Sequence, residues 1–284
     1  MRLVIKFAGA LLEDEQAVAS LARQVAALAR QGHEILVVHG GGRQFTTTLK
    51  RLGVESRFVS GLRVTDRDTR DAAVMVFAGL LNKKLAAAIS AAGQPAIGIS
   101  ASDAQCFEAE PLVHNEVPGG LGFVGYITGV NVGFLESLWR EGLLPVASCL
   151  GLGSDGELYN INADHMAAAC AEFLRADVLI YLTDVAGVLD GERLLPAVSC
   201  ADIGGLVERR IVTGGMLLKL EAAKRALDGG VGGVRIVGGA APEALLVAVQ
   251  AASGTPAECN GDALGTRVTR EPGASISAAA LSAA

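Results

Sequence analysis

The chain has 284 residues and a net charge of −6, and hydrophobic residues make up 51% of it. This length suits one large α/β domain or two lobes that share a sheet. The sequence contains no long run of lysine or arginine, so it lacks the basic footprint of a nucleic-acid-binding protein. Its five cysteines form no CxxC pair and its four histidines share no metal-ligand spacing. We therefore expect no disulfide framework, no metal site and no nucleic-acid partner.

The expected localisation is cytoplasmic. The first predicted strand begins at Leu3, which leaves no room for a signal peptide. No apolar run approaches the roughly 20 residues that a membrane-spanning helix needs. We therefore expect no membrane partner.

Short aliphatic runs alternate with stretches of helical periodicity along the chain. Strands are predicted at 3–7, 35–38, 96–100, 144–149, 178–182, 234–237 and 265–268, and helices at 15–31, 44–52, 68–92, 131–141 and 165–175. This βαβα order predicts an α/β fold, a three-layer α/β/α sandwich with a central, mostly parallel sheet. The glycine-rich stretch 108–128 is predicted to be an irregular hairpin region that could serve as a lid. A soft boundary divides an N-terminal lobe, 1–176, from a C-terminal lobe, 177–270, and 271–284 is predicted to be a flexible tail.

Three consecutive glycines, Gly40 to Gly42, lie between the second strand and a helix. A backbone without Cβ atoms can turn sharply and bring its N–H groups close to an anion. Open α/β sheets bind their ligands at the carboxyl ends of strands. An ordinary strand-to-helix turn needs one glycine rather than three, so we favour an anion site here.

Two isolated lysines are prominent in this acidic chain. Lys6 lies inside a core strand, where an ammonium group is costly to bury unless it emerges at a polar site. Lys219 lies in the opening turns of the helix that follows Gly214 and Gly215. The sequence has neither a G-x-S-x-G elbow nor a P-loop, and no G-x-G-x-x-G follows the first strand. Glycine turns together with two lysines suit phosphoryl transfer, which depends on positioning and charge stabilisation.

Three other polar positions stay open from the residues alone. Arg63 is either a surface arginine or a bidentate clamp on a carboxylate. Asn162 and Asp164 precede or begin a helix and are either plain caps or ligand contacts.

Six motifs in order carry a family resemblance. They are Ile5–Gly9, His39–Gly42, Gly61–Thr65, Asn160–Asp164, Leu182–Val188 and Gly214–Lys219. Together they resemble the amino acid kinase family over about Leu3 to Val268. The resemblance implies the carbamate kinase-like form of the sandwich, ATP as phosphoryl donor, Mg²⁺ bound mainly through the nucleotide, and a homodimer. It is closest to the members that phosphorylate the γ-carboxylate of N-acetyl-L-glutamate in arginine biosynthesis.

The resemblance also implies residue roles. The catalytic residues would be Lys6 and Lys219, which flank the γ-phosphoryl group, and Asp164, which holds both ammonium groups. The substrate-binding residues would be Gly41, Gly42, Arg63 and Asn160. The nucleotide- and phosphate-binding residues would be Gly9, Gly40, Thr183, Asp184, Gly187, Ile211, Thr213, Gly214 and Met216. A carboxylate acceptor is already ionised at pH 7, so no catalytic base is needed.

Two departures from the family pattern and three alternatives remain. Ala8 replaces a usual glycine, and we expect its methyl group to point away from the phosphate; Leu218 replaces a frequent proline. One alternative is a kinase for α-aminoadipate or glutamate attached to a carrier protein, which is disfavoured because 122–126 contains no cation. Another N-acylglutamate is a compatible substrate. A non-catalytic nucleotide or amino-acid sensor is disfavoured by retention of both lysines and Asp164.

Regulation can also be predicted from the resemblance. Arginine-inhibited members carry an additional N-terminal helix, which is missing before the first predicted strand. We therefore expect a homodimer without arginine feedback, with its contact on the helix at 68–92.

Overall fold

The computed structural model describes residues 1–59, 61–113, 120–241, 243–252 and 265–270. The strands are β1 Arg2–Phe7, β2 Glu34–His39, β3 Phe58–Val59, β4 Leu62–Arg63, β5 Ala96–Ile99, β6 Phe107–Pro111, β7 Val124–Val130, β8 Leu144–Ser148, β9 Leu150–Gly153, β10 Leu158–Ile161, β11 Val178–Thr183, β12 Leu189–Asp190, β13 Arg193–Leu194, β14 Ala197–Ser199, β15 Val234–Gly238 and β16 Thr266–Thr269. The helices are α1 Glu15–Arg30, α2 Gly42–Arg51, α3 Arg67–Ala73, α4 Asn82–Ala91, α5 Val132–Arg140, α6 Ala163–Phe173, α7 Ile203–Glu208, α8 Gly214–Asp228 and α9 Ala244–Ala252. A π-helical segment, Val74–Leu81, joins α3 to α4, and Gly9–Glu13 and Asp103–Gln105 are 3₁₀ turns.

An eight-stranded sheet forms the centre of the molecule, in the order β14-β16-β15-β11-β1-β2-β8-β5. All its pairings are parallel except the one between β15 and β16. The predicted α/β fold with a mostly parallel sheet is confirmed. The predicted last strand is present as β16, and it is the strand that runs antiparallel to β15.

The alternation of side chains along β1 places Lys6. Leu3, Ile5 and Phe7 pack into the apolar core that includes α1 and α9 residues, whereas Val4 packs into the core on the other face. Because strand side chains alternate between faces, Lys6 shares the face of Val4. That face is covered by α6, which contacts both β1 and α8.

The run Arg67–Ala91 is one helix of 25 residues built from α3, the π-helical segment and α4. The predicted helix at 68–92 is therefore confirmed. By length and composition alone this helix could cross a membrane, although its unbroken apolar sequence, 72–81, is shorter than the roughly 20 residues that a spanning helix needs. Asn82, Lys83 and Lys84 interrupt the apolar sequence without ending the helix. Half of its most apolar window is buried inside the protein, and α4 packs on α1 and β5.

A closed four-stranded barrel, in the order β10-β7-β6-β9, stands beside the main sheet. The antiparallel pair β6–β7 confirms the predicted hairpin within 108–128, although most of its described residues are regular strand. β9 and β10 were not predicted. The predicted tail, 271–284, lies outside the described residues, and the division into two lobes stays a prediction.

Candidate active site

Three charged side chains from distant parts of the chain meet beside the carboxyl end of β1. Lys6 Nζ lies 2.6 Å from Asp164 Oδ1. Lys219 Nζ lies 2.9 Å from both oxygens of the same carboxylate. All three residues are buried. One carboxylate therefore holds two ammonium groups, which leaves the cluster with a net positive charge.

The position of Asp164 follows from how α6 begins. Asn162 caps the helix, and its Oδ1 accepts hydrogen bonds from the N–H groups of Asp164 and His165. The carboxylate of Asp164 is thereby free to face the lysines, and it lies at the positive end of the helix dipole. Burial opposes ionisation of Asp164, but the two lysines outweigh it and lower its pKa to about 2.

Tyr181 contacts both Asp164 and Lys219 of this cluster, and it was not predicted as a site residue. Its Cα is the register partner of Lys6 in the neighbouring strand. Its hydroxyl donates to the backbone carbonyl of Asp164 at 3.1 Å, and Lys219 Nζ lies 5.0 Å from the centre of its ring. The only sequence signal was a tyrosine within an aliphatic strand.

The pKa of the Lys219 ammonium group is lowered. Burial and repulsion from Lys6 lower its pKa to about 8, although Asp164 partly offsets both effects. A buried ammonium group that is only partly neutralised is stabilised by an additional anion. The cluster therefore favours binding of a negatively charged group.

A cavity of about 230 Å³ opens onto Lys6 and Asp164. Its wall contains the predicted residues Gly9, Gly40, Gly41, Gly42, Arg63 and Asn160. Two glycine turns come into contact at its base, since a Cβ on Gly9 would lie 3.0 Å from Gly41 Cα. Gly41 has a φ of +156°, and a Cβ there would lie 2.0 Å from Leu81 Cδ1. The structure thus brings substrate and phosphate candidates together around one cavity.

Arg63 lies in the cavity wall between two aromatic rings. Its guanidinium is 4.8 Å from the ring centre of Phe45 and 4.5 Å from that of Phe58. It donates to Thr46 Oγ1 at 2.7 Å and to Ser56 Oγ. Among the described residues no carboxylate lies within ion-pair distance of it, and burial lowers its pKa. A fixed, buried guanidinium with hydroxyl partners alone can accept the carboxylate of a ligand.

Asn160 and the glycine-rich segment close another side of the cavity. The Asn160 side chain donates to Thr65 Oγ1 at 3.2 Å. The Phe123 N–H donates to the carbonyl of Thr65, and the Asn160 N–H donates to the carbonyl of Phe123. These bonds join Phe123, in the segment predicted as a lid, to Thr65 on one side and to Asn160 on the other.

The remaining predicted nucleotide-binding residues lie at two places, the carboxyl end of β11 with the turn that follows it, and the start of α8. They are Thr183, Asp184, Gly187, Ile211, Thr213, Gly214 and Met216, and none of them lines the cavity that contains Lys6. Gly187 has a φ of +159°, and a Cβ there would lie 2.7 Å from Leu194 and Thr266 side-chain atoms. Asp184 lies 3.7 Å from Arg43, which belongs to the glycine-loop helix α2. Lys219 lies in α8 with Gly214 and Met216, and it bonds Asp164 of the cavity wall.

Ala8 packs with the apolar core on the α1 face and does not line the cavity. The described residues contain no group of three or more His, Cys, Asp or Glu side chains placed to hold a metal ion.

A parallel α/β sandwich in which two buried lysines share one carboxylate beside glycine turns is suited to a phosphotransferase with anionic reactants. The chain belongs to the amino acid kinase family, whose model matches residues 1–238. The predicted family resemblance is therefore confirmed, and the protein is a kinase.

Individual relatives agree with this assignment. The chain is 51% identical over 248 residues to the acetylglutamate kinase of Koribacter versatilis, a match that covers 86% of this chain and 93% of the relative. It is 47% identical over 238 residues to the acetylglutamate kinase of Acidobacterium capsulatum, with 84% and 90% covered.

A solved structure supports the fold. The N-acetylglutamate synthase from Neisseria gonorrhoeae, complexed with coenzyme A and N-acetyl-glutamate, superposes with a TM-score of 0.80 at 24% identity. The match covers 96% of this chain and 60% of the synthase, so this chain spans about three fifths of that protein's length.

Proposed function

We propose that this protein is an acetylglutamate kinase, which transfers the γ-phosphoryl group of ATP to the γ-carboxylate of N-acetyl-L-glutamate in arginine biosynthesis. The observation that carries the proposal is the Lys6–Asp164–Lys219 cluster at the cavity, in a chain with 51% identity to a protein named for this activity. The product would be an acyl phosphate and ADP.

The chemistry explains the need for two lysines. The acceptor carboxylate and the ATP phosphates are both anionic, so the barrier includes bringing like charges together. Lys6 and Lys219 would flank the moving phosphoryl group and stabilise the charge on its oxygens in the transition state. Asp164 would keep both ammonium groups in place. The N–H groups of Gly9 and the Gly40–Gly42 turn would add neutral donors.

The cavity would bind the acyl amino acid by its other carboxylate. Arg63 lines the cavity without a carboxylate partner among the described residues and would make that contact, and Asn160, which also lines the cavity, would hydrogen-bond the substrate. Gly41 and Gly42 would complete the binding of the acceptor. The rings of Phe58 and Phe77 provide apolar surface for the acyl group.

ATP would bind at the carboxyl end of β11, beside the residues from Thr183 to Gly187 and from Ile211 to Met216. The γ-phosphoryl group would then lie near Lys219, which shares α8 with Gly214 and Met216 and bonds Asp164 of the cavity wall. Mg²⁺ prefers phosphate and water oxygens in such sites and would neutralise charge on the nucleotide. Asp164 already bonds two lysines, so Mg²⁺ would be held mainly by the nucleotide.

The carrier-protein alternative needs a free cation at the lid. Arg67 and Arg70 stack on Phe123 of this segment, but each pairs with Glu157, and Arg70 also pairs with Asp71. The two arginines and the two carboxylates together carry no net charge, although Arg67 is exposed and lies 4.0 Å from Glu157. This favours a free acylated amino acid over one attached to an acidic carrier.

A cytoplasmic homodimer without arginine feedback is part of the proposal. The π-helical segment exposes Met75 (60%) and Leu80 (42%), an apolar face suited to a second copy. Light scattering on the purified protein would give twice the chain mass, and a monomer or hexamer would contradict this proposal.

One assay tests the activity. The purified protein is mixed with ATP, Mg²⁺ and hydroxylamine, which traps acyl phosphates as coloured hydroxamates. N-Acetyl-L-glutamate, succinylated amino acids and carrier-linked glutamate are compared side by side. We expect hydroxamate from N-acetyl-L-glutamate; turnover of the carrier-linked substrate alone, or of none, would refute the proposal.

A further inference from the structure

A buried polar network lies directly beneath the glycine loop, and none of its side chains lines the cavity. His39, the last residue of β2, is fully buried, as is Asn82, the first residue of α4. His39 Nδ1 lies 2.9 Å from the carbonyl oxygen of Gly40. Asn82 Nδ2 lies 3.1 Å from His39 Nε2 and 2.8 Å from the carbonyl oxygen of Val146.

These contacts allow one arrangement of protons. Carbonyl oxygens only accept hydrogen bonds, so His39 Nδ1 must carry the proton that reaches Gly40. The Asn82 amide must present its NH₂ group, because its oxygen would face the Val146 carbonyl in the flipped orientation. That NH₂ group therefore donates to His39 Nε2, which is unprotonated. Burial lowers the pKa of His39 to about 4, in agreement with a neutral ring.

The consequence for the loop follows from the planarity of the peptide group. In a trans peptide the C=O of one residue and the N–H of the next point in opposite directions. The carbonyl of Gly40 and the N–H of Gly41 belong to one peptide group. A bond that draws the carbonyl toward His39 therefore turns the N–H away from His39. Gly41 N lies close to the other glycine turn, since a Cβ on Gly9 would be 3.1 Å from it.

The N–H of Gly41 also has no carbonyl of its own helix to bind, because Gly41 is the N-cap of α2. The π-helical segment fixes the loop from the other side, since Leu81 and Phe77 occupy the space beside the Gly41 Cα. The same helix places Asn82 one residue after Leu81. Packing thus sets the position of the loop, and the His39 hydrogen bond sets the orientation of its peptide.

We propose that His39 and Asn82 are positioning residues that hold the Gly40–Gly41 peptide with its N–H directed at the transferred phosphoryl group. Asn82 selects the ring tautomer, and His39 orients the peptide. Neither side chain touches substrate. This inference rests on the proposed function, because it assigns the loop N–H to the phosphoryl group of that reaction.

Two variants of His39 separate the two ring nitrogens. In His39→Asn the side-chain NH₂ replaces Nδ1, so the bond to Gly40 survives while the bond to Asn82 is lost. In His39→Gln the side-chain oxygen replaces Nε2, so the bond from Asn82 survives while the one to Gly40 is lost. Ser148→Ala is the matched control, because Ser148 is the buried register partner of His39 and its hydroxyl has no hydrogen-bond partner among the described residues.

The readout is kcat and both KM values in the hydroxamate assay, with Tm measured on each variant. Removal of one oriented donor at a developing oxyanion costs on the order of 100-fold in kcat. We expect His39→Gln to lose kcat by about that factor with both KM values changed by less than about threefold. His39→Asn should recover most of kcat, and Ser148→Ala should match the unaltered protein.

Two results would overturn the positioning role of His39. Equal losses of kcat in His39→Gln and His39→Asn, in proportion to a fall in Tm, would show a purely structural role. An unchanged kcat in His39→Gln would also overturn the inference. If the unaltered protein makes no hydroxamate, the proposed function fails first, and the two failures are thereby distinguished.

Discussion

Replacing Asp164 by asparagine tests the electrostatics of the cluster with almost no change of shape. The substitution keeps the size of the side chain but removes the negative charge that Lys6 and Lys219 share. Both ammonium groups bond the same Oδ1 atom, at 2.6 and 2.9 Å. The two nitrogens are therefore at most about 5.5 Å apart, and two unit charges at that distance repel by about 3 kcal/mol at an effective dielectric constant of about 20. In the variant this repulsion has no compensating anion.

The expected effect is a loss of charge on Lys219. A carboxylate and an ammonium group about 4 Å apart attract by about 4 kcal/mol at the same dielectric constant. Losing that attraction lowers the lysine pKa by about two to three units, since one unit corresponds to about 1.4 kcal/mol. Its pKa is already lowered to about 8 with Asp164 present. In Asp164→Asn most molecules should therefore carry a neutral Lys219 at about pH 7.5.

The assay is kcat/KM for ATP from about pH 6 to about pH 9, which reports the ionisation of the free enzyme. Lys219 acts in its protonated form, so activity is lost as pH rises through its pKa. The activity of the unaltered protein should decline above about pH 8, whereas that of Asp164→Asn should be about 10- to 100-fold lower at neutral pH and recover as pH falls. Asp228→Asn is the control, since Asp228 pairs with a lysine at the exposed surface. An Asp164→Asn profile parallel to that of the unaltered protein would refute the reasoning.

Three further substitutions test the substrate contact, the loop and the dimer. Arg63→Lys should raise KM for N-acetyl-L-glutamate by about 10- to 100-fold with little change in KM for ATP, because lysine cannot form a bidentate contact; equal effects on both KM values would contradict it. Gly41→Ala should abolish most turnover, since its Cβ would lie 2.0 Å from Leu81 Cδ1. The test measures kcat, with Tm as the check that the variant is folded, and full activity would contradict a role of the glycine loop in turnover. Met75→Glu should halve the mass measured by light scattering, because it places a charge on the exposed apolar face; a persistent dimer would place the contact elsewhere.

The sequence predicted the sheet and much of the site for a simple physical reason. Buried parallel strands are short aliphatic runs, and the residues after them share one edge of the sheet. Lys6 could be recognised because a charge within such a run is costly to bury. The glycine loop could be recognised because three glycines exceed the need of a turn.

Other features depend on tertiary contacts that leave no local pattern. β9 and β10 are short and glycine-rich, and they become strands only by pairing within the small barrel. Tyr181 and Asn82 resemble ordinary strand and helix residues until the fold places them against Asp164 and His39. The π-helical segment was predicted as plain helix, because its widened turns do not alter the apolar periodicity enough to be seen. The role of each site residue stays a prediction until the variants are measured.

We expect the two lysines to stabilise the phosphoryl group during transfer rather than in the bound substrate. ADP, Mg²⁺, aluminium fluoride and N-acetyl-L-glutamate together mimic the transition state. The most direct measurement compares the affinities of the unaltered protein and of Lys219→Ala for this mixture. A group that acts on the transition state should lose at least about 100-fold in affinity for this mimic while the affinity for ADP alone changes little. Equal losses for the mimic and for ADP, or no loss for either, would contradict the account.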